Sequence, residues 1–242
     1  MIFRAVGSDS CKNREARESP MDDLDKLYDL RFTPRQREQK LMVWKILCEQ
    51  YLQRFVKPDA TVLDLACGFG EFIQHIRAGR KIAVDANPAV STLLPPDVEF
   101  HNCGADDLGV IPPACVDVCF TSNFFEHLPS KAAMDQVLEE VRKTLRPGGL
   151  FVAIQPNIRY SADRYWDCYD HMLPLSHLSA AEGFEKGGFE VVELVPKFLP
   201  WSIKSRYPKH PMLVRLYLKA KPVWKLMGRQ FLIVARKPEL DQ

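Results

Sequence analysis

The run Thr61-Val-Leu-Asp-Leu-Ala-Cys-Gly-Phe-Gly-Glu-Phe72 constrains this chain more than any other stretch. Thr61 to Leu65 is short, mostly apolar and contains β-branched residues, the pattern of a buried strand. It stops at Cys67-Gly-Phe-Gly70, and residues 71–79 (EFIQHIRAG) read as a helix ended by Gly79. A strand that turns through glycines into a helix gathers backbone N–H groups and the positive end of a helix dipole at one place. Gly68 and Gly70 let the main chain turn sharply, and let a ligand lie against it with no Cβ in the way. Asp64, near the strand's carboxyl end, falls at the crevice where open α/β sheets bind ligands. An acid there favours a cationic or hydroxyl-bearing ligand over a pyrophosphate. A dinucleotide fingerprint needs a third glycine where Ile73 stands, and a P-loop needs a Gly-Lys-Ser/Thr triplet that does not follow.

Around this turn the chain alternates strands and helices. Lys81 to Asp85 is a second strand ending in an acid, Val98 to Asn102 a third and Val116 to Ser122 a fourth. Ala132 to Leu145 is an amphipathic helix with Val137, Leu138, Val141 and Leu145 inward. Arg146-Pro-Gly-Gly149 breaks it, and Leu150 to Ile154 is a fifth strand. Ser179-Ala-Ala-Glu182 matches a capping box that opens a helix to Lys186. Phe189 to Val195 and Phe231 to Ala235 are the sixth and seventh strands. Upstream, residues 1–21 are polar and aperiodic and are expected to be a disordered lead. Residues 22–57 are expected to form N-terminal helices interrupted at Pro34, with residues 58–242 as the main domain. Asp85 lies 21 positions after Asp64, close to the spacing at which nucleoside-binding folds place an acid on the ribose hydroxyls. A carboxylate can accept from both hydroxyls of a vicinal diol.

These features in this order resemble the class I S-adenosylmethionine (SAM) dependent methyltransferases. D-L-A-C-G-F-G resembles their first motif, with Ala66 where a glycine often stands, and A-V-D-A-N-P resembles the second. V-D-V-C-F-T-S-N-F-F-E-H-L and the helix–L-R-P-G-G–strand unit match the later ones. The resemblance implies a seven-stranded, mostly parallel Rossmann-like sheet with helices on both faces and an antiparallel last strand. It implies SAM as cofactor and S-adenosylhomocysteine as product, with no metal. Asp64, Ala66, Gly68, Gly70, Asp85 and Ala86 would form the cofactor site. Asp106, or Asp107 if the alignment slips by one, would meet the adenine amino group. Asn123 would lie near the methionine moiety, with Phe124 or Phe125 as a wall.

Residues 155–177 are rich in polar and aromatic groups and read as the substrate-binding loop. His171 is the first candidate for a general base, followed by His177 and His127. The insertion Pro196 to Gln230 holds nine basic residues (Lys197, Lys204, Arg206, Lys209, Arg215, Lys219, Lys221, Lys225 and Arg229) and no acid. With the whole chain at +2, the remainder carries −7. Apolar residues interleave with the charges, and the expectation is that Leu218 and Trp224 insert at a membrane surface while the lysines meet headgroups. A nucleic-acid partner is disfavoured, since the acidic remainder would repel it.

The seven cysteines are scattered without a C-x-x-C pair and are expected to be reduced. No apolar run approaches a membrane span, and the first 20 residues do not read as a secretory signal. The expected setting is cytoplasmic, with peripheral contact at the inner membrane face. The loop and insertion resemble methyltransferases of bacterial glycan biosynthesis, acting on a hydroxyl or amine of a small, anionic acceptor. The alternatives are a protein or RNA methyltransferase, or an inactive SAM-binding scaffold.

Overall fold

A computed structural model describes residues 33–201 and 210–239. The expected lead and the helical pattern at Leu24, Leu27, Tyr28 and Leu30 lie outside the described residues, as do Lys204, Arg206 and Lys209. The chain divides into two units, Met1–Arg37 and Glu38–Gln242. In the first, the described part opens helix α1 (Pro34–Gln50) with Pro34 in its first turn. The Thr33 N–H donates to Gln36 Oε1 and the Gln36 N–H to Thr33 Oγ1, so the two side chains cap the helix start reciprocally.

The second unit is built on strands β1 (Thr61–Leu65), β2 (Arg80–Asp85), β3 (Val98–Asn102), β4 (Val116–Ser122), β5 (Leu145–Pro156), β6 (Glu190–Leu199) and β7 (Gln230–Arg236). They form one sheet in the order β3-β2-β1-β4-β5-β7-β6. The first five are parallel, and β7 runs antiparallel between β5 and β6. Side chains along a strand alternate between faces, and each face has its own core. Leu63, Leu65, Phe151, Ala153, Phe231 and Ile233 meet Val137, Leu138 and Val141 of α2 (Lys131–Thr144) and Phe184 of α4 (His177–Lys186). Val62, Val152, Ile154, Leu232 and Val234 point the other way, into a cluster with Leu47 of α1, Phe72, Leu218 and Trp224. The expected class is therefore correct: a mostly parallel sheet covered on both faces, closed by an antiparallel pair.

Four local expectations change. Residues 71–79 do not form a continuous helix; Gln74 N–H donates to Gly70 O and Ile76 N–H to Phe72 O, but His75 N–H falls back to Phe72 O, leaving a series of turns. The Arg146–Gly149 run sits inside β5 rather than before it. Leu145 pairs with Val116 and Leu150 with Val118, so those four residues loop out of the ladder, with Gly148 at φ +75. Helix α4 begins at His177, and its cap lies three residues before the expected Ser179. Ser176 is the cap, its Oγ accepting from the Ser179 N–H while Ser179 Oγ accepts from the Ser176 N–H. Residues 158–165, read as part of the substrate-binding loop, form a helix instead (Ile158–Tyr165).

The insertion holds two helices, α5 (Pro211–Lys219) and α6 (Lys221–Met227), joined at Ala220. Here the membrane expectation fails for its two anchors. Trp224 is 4% exposed, with its Nε1–H on Tyr217 O at 2.7 Å and its ring against Tyr51 and Phe198, and Leu218 is also buried. An amphipathic pattern reports one apolar face without saying what covers it; here the sheet does. Trp224→Ala should cost about 3–5 kcal/mol of folding stability, read as a lower midpoint in denaturant. A change under about 1 kcal/mol would mean that the two helices are only loosely attached. The faces left outward carry Arg215, Lys219, Lys221 and Lys225 together with exposed Met212, Leu213, Leu216 and Leu226. No helix of the described residues is long and apolar enough to cross a membrane.

Candidate active site

The carboxyl ends of β1, β2, β4 and β5 meet at one edge of the sheet, and the turn after β1 lies among them. Three residues of that turn have left-handed backbone: Ala66 at φ 53, Gly68 at φ 53 and Gly70 at φ 70. This explains why glycine suits the position of Ala66, where the side chain costs roughly 1–2 kcal/mol. A Cβ at Gly70 would strike Leu94 Cδ2, a packing constraint. A Cβ built on Gly68 would meet nothing within 4 Å among the described residues. Gly68 therefore borders open space, a cradle that any side chain would fill.

Acids surround the turn. Asp64 is 3% exposed, and its Oδ2 accepts from the Ile73 N–H at 3.3 Å. Burial and the neighbouring Glu71 charge push its carboxyl well above the usual carboxylate range, against a smaller pull from the Ile73 N–H. Asp85 at the end of β2 takes the Gly68 N–H on Oδ2 at 2.8 Å and the Asn87 N–H on Oδ1 at 2.9 Å. Asn102 clasps the carbonyls of Asp85 and of exposed Ala86. The turn and the second acid are thus one hydrogen-bonded unit. From α1, Lys40 Nζ reaches Glu71 Oε1 at 2.5 Å, with Nζ 5.8 Å from the Phe69 ring centroid. The helix thus comes to the glycine turn rather than only to the sheet.

After β3, Asp106 and Asp107 are both exposed, but Asp107 Oδ1 accepts from its own turn at the Gly109 N–H, 3.4 Å away. Asp106 keeps the more available carboxylate. After β4, Asn123 has φ 49 and its Oδ1 accepts from Gln230 Nε2. Phe125 is fully buried, which leaves half-buried Phe124 as the ring at the edge. Sequence reading gave Gln155 no separate role. Its Oε1 accepts from the Phe124 and Phe125 N–H groups, so the amide orientation is fixed, and Nε2 has no partner among the described residues at 1% exposure. Its signal was its place, the last polar residue of β5.

The three histidines separate. His177 is buried in the first turn of α4; its Nδ1 faces Asn157 Nδ2 at 3.0 Å and its ring stacks near Tyr160. Asn157 Nδ2 can only donate, so His177 Nδ1 accepts and its proton sits on Nε2. Burial and nearby Arg159 hold the imidazole below its ordinary pKa. This is the environment of a neutral scaffold residue. His127 and His171 instead come together, ring centroids 5.3 Å apart, although one follows β4 and the other lies beyond helix α3 (Ile158–Tyr165). His127 Nδ1 meets both the carbonyl and the carboxylate of Asp170 at 3.2 Å, and its Nε2 is 4.0 Å from buried Glu126. Burial would lower the His127 pKa, but the Asp170 hydrogen bond and the Glu126 and Asp170 charges outweigh it and raise it. The Tyr165 and Trp201 rings pack on His171.

Comparison with known proteins supplies the class. Residues 63–153 match the family described as a methyltransferase domain. A chain of the complex between the Haloferax volcanii Trm112 methyltransferase activator and its methyltransferase is similar at 19% identity and TM-score 0.64, over 91% of this chain and 98% of that one. A SAM-dependent methyltransferase from Archaeoglobus fulgidus is similar at 20% identity and TM-score 0.57, over 80% and 92%. A geranyl diphosphate methyltransferase in complex with SAM is similar at 15% identity and TM-score 0.55, over 78% and 83%. Residues 63–153 thus match a methyltransferase domain, set in the fold these solved structures share.

Proposed function

We propose that this domain transfers the methyl group of SAM to a hydroxyl or amine of a small-molecule or glycan-type acceptor that carries negative charge. The observation that carries the acceptor's charge is the insertion, with nine basic residues and no acid in an otherwise acidic chain. Four of those cations, Arg215, Lys219, Lys221 and Lys225, are exposed on α5 and α6. A fold of this kind also serves the protein named for geranyl diphosphate, an acceptor of that charge.

The residues fit the cofactor on one structural test, the open space over Gly68. Asp85 accepts from the ribose hydroxyls while keeping its two backbone N–H groups, since a carboxylate has about four lone-pair sites. Asp106 meets the adenine amino group, and Ala86 lies flat beside the base. Asp64 and Asn123 face the methionine end. When bound, SAM supplies a methyl group made electrophilic by a positively charged sulfur. The chain's part is mainly to hold the acceptor in line with it, and the acceptor gives up its proton at the His127–His171 cluster.

Asp85→Ala should weaken SAM binding at least tenfold, since hydrogen bonds to a charged group are worth about 1.5–3 kcal/mol; unchanged affinity by calorimetry would remove the ribose assignment. For the acceptor, thermal-shift screening of nucleotide sugars with S-adenosylhomocysteine present would identify the compound. Its KM should then rise steeply with salt, because exposed charges are screened over about 8–10 Å at physiological ionic strength. Replacing Lys219, Lys221 and Lys225 by Gln should reproduce the high-salt KM with SAM affinity intact. A KM indifferent to salt would make the insertion a structural extension. Peripheral membrane contact, if made, falls to Met212, Leu213, Leu216 and Leu226. It predicts co-sedimentation with anionic vesicles that Leu216→Ser and Leu226→Ser together abolish.

A further inference from the structure

The sequence offers no metal-binding pattern, yet the fold assembles one. Glu126, His127 and His171 each present one ligand atom, and these atoms lie within 4.8 Å of one another. We propose that they hold a divalent ion of the zinc type, and that the acceptor's oxygen takes the open coordination position. This rests on the methyl-transfer reading and names how the cluster handles the acceptor.

The donor set is two imidazoles and one carboxylate, the composition of catalytic zinc sites that keep a fourth position for water or substrate. Zinc bonds of ~2.0–2.2 Å place tetrahedral ligand atoms ~3.3–3.5 Å apart, so modest side-chain rotation closes the cluster. A second observation is independent of that set. Metal-binding histidines characteristically give their other ring nitrogen to a carboxylate or a backbone carbonyl. Asp170 offers both to His127 Nδ1 at 3.2 Å, which leaves Nε2 turned toward Glu126. The two segments are also pinned together at the backbone: the Met172 and Leu173 N–H groups both donate to Glu126 O, at 2.7 and 3.1 Å. The ligands thus sit on a fixed frame. His127 retains 27% side-chain exposure, a route for ion and acceptor.

With the ion in place, His127 and His171 no longer take a proton themselves. An acceptor hydroxyl coordinates through oxygen, its acidity rises as that of zinc-bound water does, and its proton leaves to solvent. The oxygen electron pair then forms the bond to the methyl carbon as the carbon–sulfur bond breaks and its electrons return to sulfur.

The test is calorimetric titration of chelator-treated full-length protein with Zn2+, and with Co2+ followed by visible absorption. The expected result is one ion per chain, a Co2+ spectrum of tetrahedral or five-coordinate type, loss of both in His171→Ala and Glu126→Gln, and 10–100-fold weaker binding in Asp170→Asn. The proposal is overturned if the unmodified protein binds no stoichiometric ion, a result that does not depend on any variant folding. It is also overturned if folded variants bind as well as the parent. SAM affinity measured on the same metal-free protein keeps the two readings apart: its absence would sink the methyl-transfer reading, whereas absent Zn2+ binding with intact SAM binding removes only the metal.

Discussion

Gly68→Val should reduce SAM affinity at least a hundredfold, about 2.7 kcal/mol, while the protein stays folded. The two halves of that expectation have separate causes. At φ +53 a β-branched residue is strained, which costs some stability and perturbs the turn that Asp85 holds through the Gly68 N–H. Among the described residues no atom lies within 4 Å of the new Cβ, so core packing is not disturbed. The side chain would occupy the space assigned to the cofactor. Gly70→Val is the contrasting case, because its Cβ meets the Leu94 side chain at φ +70, so any loss of binding would be mixed with strain and repacking. A Gly68→Val protein that binds SAM normally would place the cofactor elsewhere.

His171→Ala should lower turnover by ~10²–10⁴, the range attributable to assisted removal of the acceptor's proton, with SAM affinity little changed. His171 is buried beside Tyr165, Trp201 and His127, so the variant must be shown to be folded by its SAM affinity. His177→Ala is the control. That ring already accepts a hydrogen bond from Asn157, and its loss should act on stability rather than on turnover. Near-full turnover in the His171 variant would show that the acceptor loses its proton without help from the cluster.

The strands were legible because each alternates or runs apolar between clear breaks, and β1, β3 and β4 fall on the expected residues. What the sequence could not disclose was competition for backbone groups. Residues 71–79 carry helical periodicity, but the Ile73 N–H goes to Asp64, the Gly79 N–H to Ala60 O, and Phe72 O is shared with the Cys48 thiol. Trp224 was misassigned because amphipathicity does not distinguish a sheet from a lipid surface. The acids and glycines of the candidate cofactor site were readable from spacing, since they occupy successive strand ends. The Glu126–His127–His171 cluster was not, because sheet topology alone brings its parts together. His127 and His171 looked like two separate candidates, and Gln155 like one polar residue among many.

The backbone clasp between Glu126 and the stretch after α3 bears on how an acceptor arrives. Both the Met172 and Leu173 amides are committed to one carbonyl, Tyr165 Oη donates to Leu173 O, and the Ile158 N–H donates to Leu175 O. A segment so tied should not swing as a lid; its amides should exchange with deuterium slowly, despite a sequence that reads as loop. Recognition would then follow lock-and-key kinetics, with association insensitive to viscosity-coupled loop motion and most discrimination residing in the dissociation rate.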